Sequence, residues 1–122
     1  MDSYRGMVGN HASKTFDILL ELAPSGTSLS GETEPVFLGS GLVDADLVID
    51  VAKASSGDAL ALEFCDAQDF ASDTVAGPTV PLPETGGRVI APFRNDPQGT
   101  PLSYVRLKVT GTPTAGAFIG KK

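Results

Sequence analysis

The chain has 122 residues, 41% of them apolar and 20% charged, with 14 Gly, 9 Pro and a formal net charge of −6. That length suits one hydrophobic core, and the apolar content is that of a chain that folds rather than of a disordered tail. The nine basic residues are scattered through an acidic chain, so no basic stripe is offered to a phosphate backbone and nucleic acid is not an expected partner.

Residues 1–13, MDSYRGMVGNHAS, are polar, contain Gly6 and Gly9, and follow neither the helical nor the strand period. They read as an extended N-terminal arm, with the folded domain spanning residues 14–122. The arm nevertheless carries Tyr4, Arg5, Met7, Val8 and His11, a mixture of aromatic, cationic and apolar groups that makes these five the candidate partner contacts. Nothing in it has the apolar core of a signal peptide, and nowhere do eighteen apolar residues run together. The expectation is a chain that is neither secreted by a cleaved signal nor membrane-spanning.

From Thr15 to Leu22 the sequence alternates, which predicts a strand with Phe16, Ile18, Leu20 and Leu22 on one face. Residues 23–35, APSGTSLSGETEP, collect turn-forming residues and predict a long loop. A short apolar run, VFL at 36–38, is closed by Gly39 and Gly41. ADLVIDVAK at 45–53 then points Leu47, Ile49 and Val51 one way and Asp46 and Asp50 the other. SSGD at 55–58 is a turn signal, and beyond it Leu60, Leu62 and Phe64 share a face. Residues 45–66 are therefore expected to form a β-hairpin.

The stretch 67–87 is turn-rich, and the prolines around Val80 and Leu82 admit at most an edge strand. GRVIAPFR at 87–94 places Val89, Ala91 and Phe93 together, with Pro92 marking another edge or a strand end. NDPQGTP is a loop. Val105, Leu107 and Val109 face inward with Tyr104, Arg106 and Lys108 outward, and a last strand lies near 115–119. No segment carries a helical stripe. The predicted class is all-β, a single β-sandwich or jelly roll of about seven or eight strands.

Chemistry-bearing groups are sparse. The single histidine, His11, lies in the polar arm and reads as a solvated side chain rather than a general base. GxSxG, GxxxxGK[ST], HExxH and GxGxxG are all missing, so an enzyme is not expected, and no cofactor or metal either. Asp66, Asp69 and Asp73, with Asp58, could converge on calcium, but their spacing matches no calcium loop and they read as a solvated turn. Cys65 is the only cysteine, which rules out an internal disulfide and a cysteine-based zinc site and suits assembly in a reducing cytoplasm. It alternates with Phe64 and reads as a small, semi-buried residue on the outer face. With no Trp and with Tyr4 and Tyr104 as its tyrosines, the chain lacks the aromatic platforms on which sugars stack.

Three stretches together carry a resemblance. ALALEFCDAQDFASDTV runs an apolar strand into an Asp/Ser-rich loop holding one aromatic, Phe70. In SYVRLKVTGTPTAGAFIG an aromatic and an arginine open an alternating strand, followed by a Thr/Gly turn and a small-residue strand. RVIAPFRND lies between them. Together these cover most of residues 58–120, and they resemble the small capsid cement, or decoration, proteins of tailed bacteriophages; the arm has no counterpart in that pattern. The resemblance implies a jelly-roll or β-sandwich subunit, made in the host cytoplasm and carried on the outer capsid surface of the virion. Its partners would be the major capsid protein and further copies of itself, as homodimers or homotrimers about symmetry axes, with no nucleic acid and no membrane. A phage tail, baseplate or neck component, or a β-sandwich module for carbohydrate or calcium, are the alternatives.

Overall fold

The computed structural model describes residues 18–71 and 73–121. These form eight strands: β1 (Ile18–Ala23), β2 (Val36–Phe37), β3 (Asp44–Lys53), β4 (Ala59–Cys65), β5 (Val75–Pro81), β6 (Gly87–Arg94), β7 (Tyr104–Thr110) and β8 (Thr114–Lys121). One sheet has the order β1-β8-β3-β6 and the other β2-β7-β4-β5. Every pairing is antiparallel. Since β1 pairs with β8, β2 with β7, β3 with β6 and β4 with β5, the chain is one long antiparallel hairpin rolled into two facing sheets. That is a jelly roll, and the all-β sandwich expected from the alternating pattern is the fold.

The alternation does its work in the two central strands of each sheet. Leu47 and Ile49 of β3 and Ala115, Ala117 and Ile119 of β8 are fully buried, and so are Leu60, Leu62 and Phe64 of β4 and Val105 and Leu107 of β7. These side chains belong to a single apolar cluster, as the facing inner surfaces of a sandwich require. The ring of Phe64 lies 6.0 Å from that of Phe93 on β6.

The expected hairpin over 45–66 is not formed. The SSGD turn is present: the Asp58 N–H donates to the Ser55 carbonyl at 3.0 Å, and the Asp58 carboxylate accepts from the Ser55 N–H at 2.9 Å. It carries the chain from one sheet to the other, however, so β3 and β4 face each other across the core instead of lying side by side. An inward-facing row every second residue is the same in both arrangements. Gly111 locks the turn from the far side: its φ is +83°, and a β-carbon there would run into the Asp58 carboxylate.

Two other expectations are refined. The predicted strand from Thr15 begins within the described residues at Ile18, and its alternation is broken by register shifts between Ile18 and Leu20 and between Glu21 and Ala23. As a result Leu22 and Ala23 are both buried. The loop at 23–35 is extended and paired: Leu29 donates to the Pro113 carbonyl (2.9 Å), Thr33 to the Leu107 carbonyl (3.0 Å), and Val109 to the Gly31 carbonyl (2.7 Å). It crosses from the first sheet to the second and buries Leu29 on the way. On the opposite flank, β5 and β6 are edge strands, as their prolines require.

Leu62→Ala and Leu107→Ala are each expected to lower the unfolding free energy in urea by about 2–5 kcal/mol, because each leaves a cavity in a close-packed core.

Candidate interaction surface

Register fixes which side chains share the outward face of the second sheet. Phe37 on β2 stands opposite Tyr104 on β7, and Tyr104 opposite Cys65 on β4. One step along, Arg106 stands opposite Glu63. Phe37 and Tyr104 pack with ring centroids 5.3 Å apart, and Phe37 remains 56% exposed. The Arg106 Nε donates to Glu63 Oε1 at 2.9 Å.

The Asp/Ser-rich loop after β4 turns back onto this face. Phe70 donates its N–H to the Ala67 carbonyl (3.0 Å), and Asp69 Oδ1 accepts from the Ala71 N–H (3.0 Å). Phe70 itself has φ +53°, a left-handed backbone that costs a residue with a β-carbon free energy and persists only when its surroundings hold it. Its ring is buried, with the Arg106 guanidinium centred 4.2 Å from the ring centroid, a cation–π contact. Cys65 is fully buried rather than semi-buried, and its Sγ accepts from the Ala67 N–H at 3.5 Å. The outward side of this sheet thus holds a row of Phe37, Tyr104, Arg106 and Phe70, whose aromatic and arginine content is that of protein-binding surfaces.

Beside this row, between β1 and β2, opens an apolar groove of about 350 Å³ lined by Leu20, Leu38, Val43 and Ile119, with Phe37 on its lip. Leu42 nearby in the chain is 51% exposed. The wall at 41–43 is held by Asn95, which is fully buried. Its Oδ1 accepts from the Val43 N–H (2.7 Å), and its Nδ2 donates to the carbonyls of Gly41 (3.0 Å) and Leu102 (2.9 Å). Its main chain donates to the Val43 carbonyl (3.1 Å) and accepts from Leu102 (2.9 Å). Every polar atom of this buried residue has a partner, as a low-dielectric site demands.

The outward face of the first sheet is different. Val48 sits across from Ile90 and Phe118 and is fully buried. Arg88 grips Asp50 with two hydrogen bonds (2.8 and 3.1 Å) and lies 5.7 Å from the Phe118 ring centroid. Those hydrogen bonds, ahead of the Coulombic attraction, hold the Asp50 carboxyl below its ordinary value of 3.8.

The five arm residues Tyr4, Arg5, Met7, Val8 and His11 lie outside the described residues. Of the aspartates considered for calcium, Asp58 is buried and committed to the Ser55 turn. Among the described residues no three His, Cys, Asp or Glu side chains gather in a way that could hold a metal ion, and no helix is long and apolar enough to cross a membrane. Sequence reasoning missed the groove and Asn95 altogether. It singled out Phe70, Tyr104 and Arg106, but not their neighbourhood. Comparison with known proteins gives no match to any family model, curated protein or solved structure.

Asn95→Ala should destabilise the fold by about 1–3 kcal/mol, since it takes away the partner of the buried Leu102 carbonyl and of the part-buried Val43 N–H and Gly41 carbonyl, and Asn95→Asp should fare no better because a carboxylate cannot donate to Gly41 and Leu102; chemical denaturation checks both. Because Asp50 titrates lower when folded, its contribution is full above the ordinary carboxylate range and is lost as pH falls through the depressed value. In acid titrations of stability, Asp50→Asn should remove a pH-dependent part of a few tenths of a kcal/mol, small because both partners are solvent-exposed.

Proposed function

We propose that this chain is a structural virion protein: a capsid decoration, or cement, protein that binds the outside of a tailed bacteriophage shell and ties neighbouring major capsid subunits together. The observation that carries the reading is that Tyr104 and Arg106 of one resembling stretch and the buried Phe70 ring of another meet on one outward face, with the exposed Phe37 beside them. The jelly roll supports it by analogy, being an architecture that viral coat proteins use.

The role needs no bond-making chemistry. The exposed Phe37 and Leu42 supply apolar area to bury against the shell, while the Arg106–Glu63 pair presents an oriented polar patch beside them. Burying that surface across a subunit boundary adds contacts that must break before capsomers separate. Identical copies on a symmetric shell would group as dimers or trimers about its local axes.

Co-sedimentation of the purified protein with empty capsids of the phage that encodes it tests the reading. The protein should pellet saturably with capsids and raise their disruption temperature. Phe37→Ser and Leu42→Ser should each weaken binding by about 10-fold or more while leaving the melting temperature of the free protein unchanged. Capsids that leave the wild-type protein in the supernatant overturn it.

A further inference from the structure

We propose that the groove between β1 and β2 is the seat of the chain's own N-terminal segment, with Phe16 as its anchor. Three observations converge on this occupant. The first is position. Ile18 pairs with Gly120, and Gly120 with Asp46, so the chain enters β1 at the end of the sheet where β3 begins, next to Val43. Leu20, two residues further on, already lines the groove. Phe16 lies four residues from Leu20, about 13 Å of extended chain, and is within reach of Leu38 and Val43 without crossing either sheet.

The second is chemistry. The lining is apolar, and the chain upstream of β1 holds unassigned apolar side chains, of which Phe16 is nearest and Tyr4, Met7 and Val8 are more distant. The third is charge and tether. Residues 1–17 carry Arg5 and Lys14 against Asp2 and Asp17, a sum of zero, so the net charge of −6 resides in the rest of the chain. A second copy's body would meet like charge, whereas the neutral segment does not. A short tether also gives that segment an effective concentration in the millimolar range, which favours it over any free competitor.

The chain contains no Trp, so Phe16→Trp introduces a single reporter into the intact protein. If the segment seats, the folded variant emits to the blue of the urea-unfolded chain and resists iodide quenching. Adding Leu38→Ser should then shift the emission to the red while circular dichroism and the urea transition still report a folded sandwich. Solvent-like emission from the folded Phe16→Trp protein overturns the proposal. So does blue emission that is lost on dilution, which would make the occupied groove that of a second copy, or blue emission indifferent to Leu38→Ser. The measurement uses the isolated protein, so its outcome is independent of whether the capsid reading holds.

Discussion

Everything in this molecule is arranged around one contact surface, the meeting of β3 and β8 with β4 and β7. Each strand has only one apolar face to offer, and that face can leave water only against another sheet. The packing is tight at the centre: small residues on β8, Ala115 and Ala117, face the sandwich interior alongside the larger Leu47 and Ile49 of β3. Across from them stand Leu60, Leu62 and Phe64 with Val105 and Leu107. Interiors packed to this density resist any change in side-chain volume, which is why the central strands set the position of everything outside them.

The flanks of the sandwich follow from that centre by different means. On the β5 and β6 flank, Pro78, Pro81 and Pro92 stand in edge strands. A proline offers no N–H for a further strand, a common protection of exposed edges. On the opposite flank β2 is two residues long, and the closure is made by the crossing segment that pairs with Leu107, Val109 and Pro113. The crossing leaves a gap lined by Leu20 and Leu38, with Phe37 and Leu42 exposed at or near its rim. The two flanks are therefore closed by different means, one by edge strands carrying prolines and the other by a two-residue strand and the crossing segment.

Polar locks decide how well these surfaces are shaped. Asn95 binds the end of β6 to the loop before β3 and to the one before β7, so the groove wall and the rim around Leu42 are set by a single buried amide. Asp58 does the same at the other bend, beneath Gly111. On the outer face Arg106 serves two neighbours, Glu63 and the ring of Phe70, whose backbone is left-handed. In each case one side chain substitutes for regular pairing where the chain changes sheet or direction.

Which residues turn inward is written in the local pattern of the chain. Alternation in β3, β4, β6 and β7 is a local property of the pleat, and proline's missing donor is local too, so the core and two of the edges were legible residue by residue. The same pattern could not determine which strand lies beside which. Leu47, Ile49 and Val51 would face inward equally in a hairpin with β4 or across from it, and only the competition among all eight strands for partners selected the second arrangement. The candidate surface belongs to the same kind of information. The groove takes Leu20 from β1, Leu38 and Val43 from the connection between β2 and β3, and Ile119 from β8, and Phe70 meets Arg106 across 36 positions of sequence. No periodicity or short motif encodes such neighbours, because their proximity results from the global folding of the chain and not from the spacing of residues along it.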